Sequence, residues 1–181
     1  MENDPFVYEA RYSLRGRPGL VVAVALVFVV TGVVGHLSLA VRILDFALFG
    51  VGGLLMLITG LSRRVALRVD ARGVTLGGIP PRYRSGTRFV PWADIEQVVL
   101  WRQSLPYGRS MPYVGLRRRP GAPPLGGKKA QLAGRAVAST LTRGISAGTL
   151  SASRAVNGWR LDPARLARAV NYFAPGISVE G

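Results

Sequence analysis

The chain has no cysteine, which excludes disulfides, thiolate metal sites and a cysteine nucleophile. It has a single histidine, His36, so no His–carboxylate pair exists outside the apolar section that contains it. Acidic side chains are scarce, 9 in 181 residues, and from residue 63 onward they are Asp70, Asp94, Glu96, Asp162 and Glu180. Those five show neither metal-ligand spacing nor a Walker-type phosphate loop beside them. Lysine is nearly missing too, with Lys128 and Lys129 alone among 24 basic residues. Together these shortages point away from an enzyme, and no metal or cofactor is implied.

What the chain has instead is hydrocarbon. Leu20 to Gly35 reads LVVAVALVFVVTGVVG without a charge, and Ile43 to Leu61 reads ILDFALFGVGGLLMLITGL with only Asp45. At about 1.5 Å per residue, the stretch from Gly19 to Ser62 would form a helix roughly twice the ~30 Å thickness of the hydrocarbon layer, so two spans fit and one does not. The expected spans are about 18–38 and 41–62, broken near Gly35, His36, Ser38 and Arg42, and together they make a transmembrane hairpin over 18–62. Arg42 and Asp45 lie three apart and are expected to pair at the membrane mouth. Gly50, Gly52 and Gly53, with Gly32 and Gly35 opposite, suit close helix packing.

Arginine sets the orientation. Arg11, Arg15 and Arg17 precede the first span, and Arg63, Arg64, Arg68 and Arg72 follow the second, while the connection offers Arg42 alone. Basic flanks stay on the cytoplasmic side, so both termini are expected there, with residues 1–17 as a cytoplasmic arm. The long polar leader, the lack of a small-x-small cleavage site and the second span argue against a cleaved signal peptide. The expected location is the plasma membrane. The net charge of +15 falls entirely within residues 63–181, which keep 20 basic and 5 acidic side chains.

Beyond residue 62 the hydrophobic pattern alternates, as in half-buried strands. Strands are expected at 65–69, 74–76, 87–91, 92–101 and 113–117, with a loop at 77–86. Asn157-Gly158 is expected to form a type I′ turn joining strands at 150–156 and 159–161. Residues 130–148 permit a helix interrupted by Gly134, Gly144 and Gly148, and 118–148 reads as a flexible insertion. Asp162 as N-cap, Pro163 at the first position and an apolar face of Leu166, Ala169, Val170 and Phe173 mark a closing helix that ends before Pro175-Gly176. The expected class is α+β.

Certain segments carry a resemblance. Two spans, then Leu67 to Val74, Val90-Pro-Trp92-Ala-Asp94-Ile95, Asn157-Gly-Trp159-Arg-Leu161-Asp162 and Phe173-Ala-Pro175-Gly176, are similar to the actinobacterial membrane-anchored PH-like domain proteins that include the low-molecular-weight antigen group. The resemblance covers roughly residues 40–178. It implies a PH-like antiparallel barrel or sandwich over 63–181, plugged by the terminal helix; residue type and strand spacing themselves put Trp92 and Ile95 in the core and give Asp94 the anchoring of a turn. The fold names no ligand.

Three roles follow. The first is a membrane-tethered, non-enzymatic binding or scaffolding module for a protein partner, engaged by strand addition. The second is contact with anionic lipid headgroups through Arg82, Arg84, Arg88, Arg117, Arg118, Arg119, Lys128 and Lys129, each adding on the order of 1 kcal/mol near the surface. Nucleic-acid binding ranks third, because aromatics do not interleave with the basic cluster.

Overall fold

A computed structural model describes residues 5–80, 82–105, 107–123, 125 and 152–181. The protein is a mixed α+β chain in which two apolar helices adjoin two four-stranded sheets. Helix α1 runs Arg17–Val34, entered through Gly16 at φ 79° with Pro18 in its first turn. Helix α2 spans Leu39–Leu61, 23 residues with a mean hydropathy of 2.0, and is long and apolar enough to cross a membrane. The apolar part of α1, Pro18–Val34, is shorter, about 25 Å at 1.5 Å per residue.

Small residues let α1 and α2 approach. A methyl group added at Gly53 would lie 2.8 Å from Ala25 Cβ, and one at Gly32 would overlap the Asp45 carboxylate. Phe28 of α1 stacks on Phe49 of α2 with ring centroids 4.1 Å apart. Within α2, Phe46–Val51 winds as a π-helix, an expanded turn that begins directly after Asp45. The expected Arg42–Asp45 ion pair does not form. Asp45 turns instead into the Gly32 notch, with Oδ2 enclosed and without a partner, and Arg42 Nε is likewise unpartnered.

The first sheet is antiparallel in the order β1-β2-β3-β4, from Tyr8–Arg11, Val65–Asp70, Gly73–Leu76 and Arg88–Pro91. Strand β1 belongs to the 1–17 segment expected to be a cytoplasmic arm, and it joins the sheet instead of standing apart from it. Tyr8, Ala10 and Tyr12 alternate with Glu9 and Arg11, and the apolar set is buried. Tyr8 pairs with Val69, Glu9 with Arg68 and Ala10 with Leu67. The strands before and after the two apolar helices are therefore neighbours in one sheet.

The second sheet runs β7-β6-β5-β8, from Ser153–Ala155, Arg109–Arg118, Ile95–Leu105 and Ser178–Glu180. Its β8 strand lies parallel to β5 and follows the Pro175-Gly176 stop. Leu67, Val69, Val74 and Leu76 of the first sheet and Ile95, Val98, Val114 and Leu116 of the second form one core. Helix α4, Pro163–Phe173, covers that core with Leu166, Ala169 and Val170, and Asp162 Oδ1 caps it by accepting from Arg165 N at 3.0 Å. The remaining helix, α3, is the single turn Tyr83–Gly86 inside the expected 77–86 loop.

Several expectations need correction. Trp92–Asp94 is a 3₁₀ turn rather than the start of a strand, because Pro91 leads into it and Trp92 Nε1 donates to Asp70 O at 2.9 Å. Ile95 is in the core, whereas Trp92 packs at its margin. Asp94 does anchor a turn: its carbonyl accepts from Arg119 N, and its carboxylate pairs with Arg118 at 3.3 Å. Asn157-Gly158 is not a hairpin turn. Strand β7 pairs with β6, Trp159 is buried, and Gly158 O accepts from Ser13 N at 2.8 Å. The tight turn lies at Tyr107-Gly108 between β5 and β6, where φ is 62° and 67°. The expectations for residues 130–148, and most of the 118–148 insertion, lie outside the described residues.

Candidate functional site

The sheets join the apolar helices at the base of the helix pair, where β1 enters α1 and α2 leaves into β2. Tyr12 N donates to Arg64 O at 3.0 Å, and Leu14 packs against Gly60 so closely that any side chain there would collide with it. The chain leaves α2 through Arg63 at φ 48°, a left-handed conformation that costs a non-glycine residue roughly 1–2 kcal/mol. Arg11 Nη1 donates to the Arg63 carbonyl at 3.4 Å and helps hold that turn.

A crevice of about 700 Å³ opens at this junction, lined by Arg11, Arg15, Arg63 and Arg160 together with Tyr12 and Leu61. All four arginines are exposed, and among the described residues no acidic side chain lines the space. Glu9 pairs with Arg11 and also with Arg68, at 3.3 Å, so Arg11 is partly neutralised while Arg15, Arg63 and Arg160 have no carboxylate partner among the described residues. The N-terminal turn of α1 adjoins the crevice with no side-chain cap, so its backbone dipole adds positive potential. A second crevice of about 420 Å³ shares Arg15 and Arg160 and reaches Val21 and Met56. Cationic walls leading to apolar helix surface suit an amphiphilic anion.

Behind the crevice, burial raises the Tyr12 phenol above its ordinary 10.0, against the opposing influence of Arg154. Burial lowers the pKa of Arg154 itself. Its guanidinium is satisfied by carbonyls: Nε donates to Gly77 O and Nη1 to Ser153 O, both at 2.9 Å, and Nη2 donates to Gly86 O. Arg154 thus clamps both ends of the 77–86 loop. Ile79 and Pro80 of that loop face Leu55, Met56 and Thr59 of α2 across a third crevice, so the clamp fixes the loop beside the helix base.

The basic residues singled out from the sequence are not gathered in one patch. Arg82 and Arg84 are exposed on the helix-proximal loop, where Tyr83 Oη donates to Val65 O at 2.9 Å. Arg88 turns back onto Ser85 O and Thr87 O. Arg117, Arg118 and Arg119 lie at the other end of the β5–β6 ladder, roughly 20 Å along the strand from Pro112, which adjoins the helix base. Arg118 is committed to Asp94 and Pro123 O, and Arg119 Nε to Ile95 O. Lys128 and Lys129 lie outside the described residues.

Sequence reading used Arg11, Arg15 and Arg63 only to orient the helices and gave Arg160 no role. The available signal was the clustering of arginines on both flanks of the apolar section. No family model, curated protein or solved structure matches the chain.

Proposed function

We propose that this chain is a membrane-anchored, non-enzymatic binding module whose arginine crevice holds an anionic lipid headgroup at the cytoplasmic face. On this reading α1 and α2 both cross the bilayer as a hairpin, and the two sheets with α4 form a PH-like unit akin to the actinobacterial membrane-anchored group. The observation that carries it is the pairing of β1 with β2. Two strands joined in one sheet lie on one side of the bilayer, so the apolar chain between them makes an even number of crossings.

Exposed leucines and valines along both helices, with Phe28 of α1, favour two crossings over none. Arginine on the flanks favours the cytoplasmic side for the sheets. That geometry puts Arg15, Arg63 and Arg160 at headgroup depth, where each contributes on the order of 1 kcal/mol toward an anionic surface. The non-enzymatic reading draws on how the carboxylates are used: Glu9, Asp70 and Asp94 hold arginines, and Asp162 caps a helix.

Native mass spectrometry of the full chain, released from phosphatidylcholine nanodiscs with and without phosphatidylglycerol, tests the reading. Phosphatidylglycerol is expected to be retained in preference. The preference should vanish when Arg15→Gln, Arg63→Gln and Arg160→Gln are combined and persist in Arg117→Gln. Equal retention of both lipids, or a preference indifferent to the triple variant, would overturn it.

A further inference from the structure

Asp45 has no place in the headgroup site. It sits in the seventh position of α2, about 9 Å along the axis from Leu39. Only 8% of its surface is exposed, Oδ2 is enclosed against Gly32, and among the described residues no hydrogen bond or ion pair satisfies that oxygen. An ionised carboxylate without a donor in an apolar setting costs several kcal/mol, so a retained one calls for a partner.

The surroundings describe that partner. Asp45 lines a crevice of about 340 Å³ on the flank of the helix pair, walled by Phe28, Leu37, Val41, Leu44 and Leu48. The other polar group in the wall is Thr31, whose hydroxyl proton is given to Val27 O at 2.9 Å, leaving its oxygen as an acceptor. Both polar groups of the crevice therefore accept, and the rest of the wall is hydrocarbon. The π-helical turn that starts at Phe46 brings Leu48 and Phe49 into the same wall. Such expanded turns are frequent at functional sites.

We infer that this crevice is a binding site for a primary alkylammonium group. The ammonium donates to the Asp45 carboxylate and the Thr31 oxygen, and the attached alkyl chain lies against Val41, Leu44 and Leu48. A neutral donor would satisfy the oxygens without the charge, and a quaternary ammonium would supply the charge without N–H. A primary ammonium on a hydrocarbon stem meets both requirements, whether it comes from a free amine or from an aminophospholipid headgroup.

Photolabelling of the full chain in phosphatidylcholine nanodiscs tests this with hexylammonium bearing a diazirine, against the matching hexanol. Incorporation into the discs is checked by size exclusion, so a failed site is distinguished from failed anchorage. The ammonium probe is expected to label residues 39–61 at least about tenfold more than the alcohol, the factor expected for a charge-assisted hydrogen bond. Asp45→Asn, which keeps the shape and removes the charge, should abolish the preference. Leu48→Trp, which fills the crevice and leaves the carboxylate, should abolish labelling. Competition on adding phosphatidylethanolamine assigns the site to the headgroup, and undiminished labelling assigns it to a free amine. Equal labelling by amine and alcohol, or a preference that survives Asp45→Asn, overturns the inference.

Discussion

Replacing Arg154 with leucine removes the clamp on the 77–86 loop and leaves the carbonyls of Gly77 and Gly86 without their donor. Hydrogen bonds to a charged group contribute roughly 1.5–3 kcal/mol each, so the two bonds across the loop set a ceiling of about 3–6 kcal/mol. Gly86 is half-buried and its carbonyl regains water once the side chain is gone, whereas Gly77 is buried and its carbonyl does not, so the expected loss is about 2–4 kcal/mol. For a chain of this length that lowers the melting temperature by roughly 4–16 °C. Arg154→Lys should recover at most about half, because one ammonium cannot reproduce a planar fork that reaches separate carbonyls. The assay is thermal melting of the detergent-solubilised full chain, followed by tryptophan fluorescence, with hydrogen exchange read over residues 77–87. A leucine variant within about 0.5 kcal/mol of the parent, or one that leaves exchange in that segment unchanged, refutes the clamp.

Two further expectations follow. Burial holds the phenols of Tyr8 and Tyr12 above the ordinary 10.0, so the stability they add is complete below that pH and is lost as pH rises through the raised values. Tyr12→Phe should therefore flatten the alkaline limb of a stability–pH curve, and an unaltered limb would contradict the assignment. Because the chain has no cysteine, introduced ones report topology without background. With a membrane-impermeant maleimide, His36→Cys should react in intact cells and Gly176→Cys only after permeabilisation; reaction of both from one side would exclude the two-crossing arrangement.

Much of the fold was legible wherever local chemistry decides it. Asp162 and Pro163 fix the start of α4, alternation fixes β2 and β3, and a long apolar run interrupted only by Arg42 and Asp45 near its start fixes α2. The failures came where a distant partner decides. Asn157-Gly158 has the composition of a tight turn, but β6 takes β7 and the core takes Trp159, so no hairpin remains to be turned. Strand β1 carried a readable alternation, Tyr8, Ala10 and Tyr12 against Glu9 and Arg11, within the stretch expected to be a cytoplasmic arm, but its place in the sheet depends on a partner strand more than fifty residues away. The arginine crevice joins Arg15 to Arg160 across nearly the whole chain, a juxtaposition only the sheets create. Spacing on a helix suggested an Arg42–Asp45 pair, but the notch at Gly32 drew the carboxylate the other way.

If the apolar helices cross a bilayer as proposed, the pairing of Tyr8 with Val69 makes their insertion a step in folding rather than a sequel to it. During synthesis at about 5–20 residues per second, β1 waits roughly 3–12 s for β2 to emerge. On the two-crossing proposal, both greasy helices leave the ribosome and enter lipid in that interval. A chain stalled at that point would display Tyr8, Tyr12 and an open sheet edge, all of which the finished fold covers.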